Sequence, residues 1–455
     1  MASLDLSGRH VLVVGVGVAG ASATRALVAR GAEVLLTATT EGAAVTELVE
    51  AGASWLGPLD ALPPSVDLVV ASPGVPPTDA VLVDAAARDV EVWGEVELAW
   101  RLRADGAAPW LALTGTNGKT TTVHMLEAVL RAAGHRAVAV GNVGVPLIDA
   151  VLADPPYDVL AVELSSQQLH FAPSVAPAAG ALLNLAPDHL NWHGSYEAYE
   201  DAKTTIWRGE VAIGNVDDVR VAARLPEGAV TTTLGEPGVG QLGVRDGRLV
   251  SRAFGDDSLD LLAAAEVRPP GRHNVANALI AAAIARAIDT PARAVAEGLR
   301  AFEPDPHRNQ AVLERDGVTW VDDSKATNPH AAAASLSAYP RIVWVAGGQL
   351  KGVDVDPLVA ACADRLAGAV LLGQDRELVR AALARHAPDL PVIMVDRNDD
   401  GAMTAAVRAA ADLARPGDTV LLAPAAASYD MFTGFAARGD AFAAAARALG
   451  PDVPR

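Results

Sequence analysis

Leu111-Ala112-Leu113-Thr114-Gly115-Thr116-Asn117-Gly118-Lys119-Thr120-Thr121-Thr122 is the stretch on which the reading of this chain turns. The apolar run predicts a strand, Gly115-Thr116-Asn117-Gly118 a turn, and the apolar-periodic segment from Val123 a helix. In that order the pieces grip a polyphosphate. Gly115 and Gly118 let backbone N–H groups converge on phosphate oxygens, and the helix N-terminus adds its positive dipole end. Lys119 reaches the β- and γ-phosphates, and the hydroxyls of Thr120 and Thr121 follow it, the first suited to Mg²⁺. Leu113 stands where the strict P-loop has its first glycine. An ordinary glycine-rich turn is the bland alternative, but it needs no lysine followed by hydroxyls.

A chain of 455 residues is too long for one core, and roughly three domains is the natural expectation. Half its residues are hydrophobic, 20% are charged and mean hydropathy is +0.23, which argues against broad disorder. The net charge of −19 disfavours nucleic acid as a partner, although a small anion needs only a local basic pocket. The single cysteine, Cys362, excludes an intrachain disulfide and a cysteine-based zinc site. The start, MASLDLSGRHVLVVG, has no basic region followed by a long apolar core, and no run is long enough to span a bilayer. The chain reads as cytoplasmic, without membrane insertion.

Three α/β domains are expected, at residues 1–105, 106–303 and 304–455. The first opens with the strand His10–Val14, the fingerprint Gly15-x-Gly17-x-x-Gly20, a helix to about Arg30 and a strand at 33–36, a Rossmann-type start. A strand at 67–71 runs into the loop Ser72-Pro73-Gly74-Val75-Pro76-Pro77. Residues 105–109 read as a linker. The middle domain shows strands at 137–140, 159–164 and 179–184, a Gly-rich region at 227–258 that reads as hairpins, and an apolar helix at 275–288. The third, Rossmann-like, follows Phe302-Glu303-Pro304-Asp305-Pro306, with strands at 318–322, 342–346, 369–372 and 419–422. Alternating βα units imply largely parallel sheets with ligand crevices at the strand C-terminal ends.

The N-terminal glycines alone are a weak signal. An NAD site places an acid at the end of the second strand, and Leu36-Thr37-Ala38-Thr39 has none. Another diphosphate ligand, or glycines used only for packing, stay open. Glu163 ends a buried strand beside the P-loop, where Mg²⁺ would compensate the carboxylate; a helix cap is the alternative. Asp188, His189 and His193 share the loop after a further strand, where two histidines and an aspartate can ligate metal, His189 gaining weight from Asp188 beside it and its strand-end place. Lys203 by itself reads as a helix-surface lysine. His307-Arg308 follows the Pro-rich hinge and could clamp phosphate on domain closure, while Asp322-Asp323-Ser324-Lys325-Ala326-Thr327-Asn328-Pro329 and Gly347-Gly348-Gln349-Leu350-Lys351-Gly352 follow strands where sites form. Either of the last two could be a plain turn. The residues thus describe an ATP/Mg²⁺ enzyme of three α/β domains that transfers phosphate to, or ligates, a small anion.

In order and spacing, GVGVAGAS, ASPGVP, TGTNGKTTT, GNVGVP, VELSSQQL, DHLNWHGS, GRHNVANA, PHRNQ, DDSKATN, GGQLKG and APAAASYDMF resemble the Mur ligase family of cell-wall peptide ligases nearly end to end. The resemblance implies ATP-dependent addition of D-glutamate to UDP-N-acetylmuramoyl-L-alanine through an acyl phosphate, by a monomer. It implies ATP contacts from the P-loop, Asn274, Asn277, Arg308, Asp323 and Lys325, and two Mg²⁺ ions served by Thr120, Glu163, His189 and a carbamylated Lys203, the carbamate formed from CO₂. Val18, Ala19, Thr37, Ser72, Gly74, Asn142 and Ser165 would line the UDP-substrate site. Thr327, Lys351, Ser428 and Phe435 would surround D-glutamate, and His307 would orient the reacting groups. The chain departs from the family at Leu36 and Ala38, where an acid and a base are usual, at Asn191-Trp192-His193, and at Ala426, where some members have cysteine.

Four other functions fit the sequence less well. An L-alanine-adding member would share the P-loop but not this C-terminal signature, and folate polyglutamate ligases lack the glycine-fingerprint domain. A non-catalytic nucleotide sensor would not need Lys119, Glu163, His189 and Lys203 together. An NAD-dependent oxidoreductase lacks its strand-end acid.

Overall fold

The computed structural model describes residues 4–397, 399 and 401–449. Its apolar runs form three sheets flanked by helices, the α/β architecture read from the alternating pattern. The N-terminal sheet is fully parallel, in the order Ser54–Trp55, Glu33–Thr37, His10–Val14, Leu68–Ala71, Glu91–Gly94. The central sheet has nine strands. Leu259–Ala263, Arg248–Ser251 and Gln241–Arg245 form an antiparallel edge. Val230–Thr232, Val211–Asn215, Ala179–Leu182, Trp110–Thr114, Val159–Glu163 and Ala137–Gly141 follow in parallel. The C-terminal sheet runs Gln310–Arg315, Val318–Asp322, Thr419–Leu422, Ile342–Ala346, Leu366–Leu371, Val392–Met394, and only its first pair is antiparallel.

Two local expectations change. The helix after the P-loop starts at Lys119 rather than Val123, because Thr122 returns its hydroxyl to the Gly118 carbonyl at 2.8 Å and the hydroxyl run joins the first turn. The region 227–258 does supply hairpins, Gln241–Arg245 with Arg248–Ser251 and the latter with Leu259–Ala263 just beyond it, but its first strand is not part of one. Val230–Thr232 pairs parallel with Val211–Asn215, and Gln241–Arg245 turns back on Arg248–Ser251.

Contacts divide the chain into two compact units: residues up to Glu266 with Ala276–Phe302, and Val267–Val275 with Glu303 onward. Within the first unit a single apolar cluster runs from Val11 and Leu36 of the N-terminal sheet to Ala112 and Leu160 of the central one. Trp100 packs edge-on against Trp110 at 4.9 Å, and each buried large side chain contributes about 1.5–3 kcal/mol. Polar ties cross the same junction. The Ile148 N–H donates to Glu95 at 2.8 Å, and Ser22 donates to Asp149 at 2.6 Å. Glu95 is 3% exposed, and burial raises its carboxyl to about 7.

In each sheet the strand order reverses beside a strand with a loop at its C-terminal end. These strands are His10–Val14, Trp110–Thr114 and, in the C-terminal unit, the set Val318–Asp322, Thr419–Leu422 and Ile342–Ala346. Such reversals open crevices for ligands.

Candidate active site

Trp110–Thr114 lies between Val159–Glu163 and Ala179–Leu182, so the loops after all three strands meet at one edge. Gly118 holds the turn into the helix at φ +82, a backbone state in which glycine alone is free of strain. A side chain there would also stand 2.6 Å from Asn277 Oδ1, so Asn277 lies directly against the P-loop. Asn184 braces the turn from the neighbouring strand end. Its side chain accepts from Asn117 N–H at 2.8 Å and donates to Asn117 O at 3.0 Å. Thr116 Oγ1 sits 2.7 Å from the Tyr199 hydroxyl and accepts from Ala186 N–H. Lys119 folds back, its Nζ donating to the carbonyls of Gly115 and Thr116 at 2.9 and 3.0 Å. Thr120 and Thr121 stand half-buried on the same turn.

Glu163 is opposite Leu113 in register and 1% exposed. Asn142 donates to its Oε1 at 2.9 Å, while Oε2 is buried with no hydrogen-bond partner. A bare buried carboxylate oxygen is costly; this one suits a hard cation. Ser165 caps the next helix through a reciprocal pair with Gln168, and Ser166 Oγ lies 2.9 Å from His193 Nε2. Burial above all, then His170, His189 and Lys203, lowers His193 to about 4, so this imidazole is neutral near pH 7.

Lys203 corrects its reading as a surface lysine. It is 2% exposed, with Nζ donating to Gly115 O at 2.9 Å and Thr114 Oγ1 at 3.2 Å. Burial, then the nearby Lys119, holds its amine well below the usual lysine range. His189 occupies a left-handed backbone position at φ +50, its ring half-exposed 3.5 Å from Asp188. Among the described residues no three His, Cys, Asp or Glu side chains form a ready-made metal cage.

In the N-terminal sheet's crevice, Ser72 donates to Gly15 O at 2.9 Å, and a side chain on Gly20 would lie 2.0 Å from that same carbonyl. This glycine exists for close helix–strand packing. Val18 is 76% exposed, while Ala19 and Ser72 are half-buried and Gly74 is exposed. Thr37 is buried, and its hydroxyl is donated to Gly57 O at 2.8 Å.

The C-terminal unit holds a second constellation. His307 Nδ1 lies 2.7 Å from Asp322 Oδ2 with both groups buried. Asp323 accepts from Asn309 N–H at 3.0 Å and from the Ser335 hydroxyl, and burial raises it to about 7. Arg308 lies 3.4 Å from Asp305. Lys325 Nζ sits 4.1 Å from the Phe435 ring centre, and the exposed Lys351 lies 5.9 Å from that of Tyr429. Thr327 is half-buried and Ser428 buried. Asn274 belongs to this unit and Asn277 to the other.

Three residues escaped the sequence reading: Asn184 and Tyr199 behind the P-loop, and Arg438, 1% exposed on the Ala-rich helix Phe435–Arg447; Asp322, read as part of the motif that ends its strand, is the partner of His307. Only the arginine left a local signal, a cation among apolar positions one turn after Phe435.

Comparison with known proteins agrees with this geometry. Residues 9–94 match the Mur ligase MurD-like N-terminal domain, 113–285 the Mur ligase middle domain, and 307–426 the Mur ligase glutamate ligase domain. A Streptomyces coelicolor protein named UDP-N-acetylmuramoylalanine–D-glutamate ligase is 54% identical, covering 98% of this chain and 99% of its own. One of the same name from Thermobifida fusca is 53% identical, covering 98% and 100%. Among solved structures, MurF from Acinetobacter baumannii shares the fold with TM-score 0.58 at 18% identity, covering 90% of this chain and 89% of that one. UDP-N-acetylmuramate–alanine ligase from Thermotoga maritima does so with TM-score 0.54 at 17% identity, covering 92% and 95%. With its three sheets matched in order by three family domains, and with relatives this similar along nearly its whole length, the chain belongs to the Mur ligase family.

Proposed function

We propose that this protein joins D-glutamate to UDP-N-acetylmuramoyl-L-alanine at the expense of ATP, a step in peptidoglycan precursor synthesis. One observation carries the reading. A P-loop lysine, a buried carboxylate with one bare oxygen and a second, fully buried lysine converge at one sheet edge, in a chain 54% identical to a ligase of that name.

The chemistry divides into two steps. The alanyl carboxylate attacks the γ-phosphoryl group, forming an acyl phosphate and releasing ADP. The D-glutamate amine then adds to the acyl carbon, and the tetrahedral intermediate expels phosphate. Both reactants of the first step are anions, so electrostatic neutralisation and positioning dominate. The Gly115–Gly118 turn, held by Asn184, presents backbone N–H groups to the phosphates. Lys119 exchanges its two carbonyl partners for phosphate oxygens. Asn277, against Gly118, borders the same nucleotide.

The oxygen donors suit Mg²⁺, which takes one or two carboxylates together with phosphates and water. Glu163 Oε2 and the Thr120 hydroxyl would hold it, with His189 nearby in the proposed set. When bound, Mg²⁺ supplies positive charge to the phosphate oxygens as the acyl phosphate forms. The buried amine of Lys203, held well below the usual lysine range by burial, is suited to carbamylation, in which the nitrogen bonds CO₂ and loses a proton. The product is an anion that would serve as an oxygen donor.

The Ser72–Gly74 loop, the exposed turn at Val18, and Asn142 would receive the UDP-substrate. Thr327, Lys351, Ser428 and Phe435 would receive D-glutamate, with the Lys351 ammonium pairing one carboxylate. His307, its ring set by Asp322, would orient the reacting groups.

The test is phosphate release from ATP with UDP-N-acetylmuramoyl-L-alanine and each of D-glutamate, L-glutamate, L-alanine and meso-diaminopimelate. D-Glutamate should be strongly preferred. Equal turnover with another of these amino acids refutes the assignment.

A further inference from the structure

We infer that Arg438 is a positioning residue for the incoming amino acid, a single guanidinium that sets the three loops on which the proposed amino-acid contacts stand. The inference rests on the reading of Thr327, Lys351, Ser428 and Phe435 as the D-glutamate site.

Arg438 is 1% exposed, one helical turn after Phe435. Its Nε donates to Ser324 Oγ at 2.9 Å and its Nη2 to Ser324 O at 2.9 Å. Its Nη1 donates to Ala426 O at 3.0 Å and, more weakly, to Gly347 O at 3.5 Å. Among the described residues no carboxylate lies within ion-pair distance of it. Burying a cation is expensive unless its donors are satisfied. Here carbonyl and hydroxyl oxygens from three separate chain segments do so.

Those segments are the loops that follow Val318–Asp322, Ile342–Ala346 and Thr419–Leu422, neighbouring parallel strands of one sheet. Each carries one proposed contact a few residues beyond its anchor: Thr327 after Ser324, Lys351 after Gly347, Ser428 after Ala426. The fourth, Phe435, is tied in as well, since Ser324 Oγ donates to its carbonyl at 2.8 Å. The planar fork of a guanidinium can reach these oxygens together; an ammonium, a point charge on a flexible stem, cannot. The loops also hold one another through Gln349 and Ala427, which exchange two backbone bonds, and through Ala425 N–H to Ala326 O. Loss of the arginine should therefore loosen the loops while the sheet persists.

The full-length R438K and R438A variants test this. Steady-state kinetics give KM for D-glutamate and for ATP. A partial reaction without D-glutamate, isotope exchange between ADP and ATP dependent on UDP-N-acetylmuramoyl-L-alanine, reports the first step alone. KM for D-glutamate should rise by roughly tenfold or more in R438K and further in R438A, with exchange and KM for ATP within about threefold of wild type. Methylguanidine at millimolar concentration should lower the raised KM of R438A and leave R438K unaffected. A D-glutamate KM within twofold of wild type in R438A overturns the inference. So does a parallel loss of exchange and D-glutamate use, or loss of a cooperative melt in both variants, each of which assigns Arg438 to folding alone. The wild-type enzyme keeps the two claims apart. If it answers to a different amino acid, the functional reading fails, and the same KM comparison with that amino acid still decides the role of Arg438.

Discussion

Replacing Gly439 by alanine should disable the C-terminal constellation from behind. An added Cβ would lie 2.2 Å from His307 Nδ1, 2.8 Å from its Cγ and 2.6 Å from Asp322 Oδ2. Relaxed contacts between such atoms begin near 3.5 Å, so the imidazole must retreat by about 1 Å or more. The methyl strikes both partners of the 2.7 Å His307–Asp322 bond, so relief of the clash displaces the pair or breaks its bond. Overpacking costs roughly 1–3 kcal/mol, and a buried acceptor stripped of its partner roughly 1–3 more. Asp322 keeps the Ser324 N–H at 2.9 Å, which favours the lower half of that range, about 3 kcal/mol in all. For a unit of this size that lowers the melting temperature by roughly 6–12 °C. Displacing a reacting-group orienter by about 1 Å should also reduce kcat by up to about a hundredfold. Differential scanning calorimetry, with hydrogen exchange on peptides from residues 303–449, locates the loss; phosphate release gives kcat. A G439A enzyme with wild-type melting and turnover would refute both the tightness of this packing and the role given to His307.

Three further outcomes follow from the first unit. Lys119→Ala should lower kcat by roughly a thousandfold with the fold intact by circular dichroism, and near-normal phosphate release would remove the P-loop from the mechanism. Lys203→Ala should be nearly inactive and partly rescued by acetate, and bicarbonate depletion should slow the wild type; a fully active variant refutes the carbamate. Glu95, raised to about 7 by burial, holds a proton in the folded state that the unfolded chain releases near 4.5. Its contribution to stability is therefore full below about pH 4.5 and is lost as pH rises through 7, at up to about 1.4 kcal/mol per unit. The melting temperature of Glu95→Gln should thus fall less than that of wild type between pH 5 and pH 8, and identical slopes would refute the assignment.

Much of the fold was legible because its signals are short-range. Val318–Asp322, Ile342–Ala346 and Thr419–Leu422 appear as strands where apolar runs end at turn residues. The strand Val211–Asn215 and the parallel pairing of Val230–Thr232 were not legible, since a short strand in a Gly-rich region takes its partner from the sheet rather than from its own pattern. Helix starts shifted where side chains could bond their own backbone, as at Thr122.

The candidate site divides in the same way. Turn chemistry at Gly115–Lys119 and an acid at the end of an apolar run are properties of a few adjacent residues, so the sequence by itself determined the glycine-rich loop, the site's edge of the central sheet and the succession of three α/β sheets. The condition of each group was decided elsewhere. Lys203 has its amine held well below the usual lysine range by burial and by Lys119, which lies far from it in sequence, and Arg438 reaches a loop 114 positions away. Burial, desolvation and the bare oxygen of Glu163 are properties of the packed interior, and only the tertiary structure removes the water from around these groups.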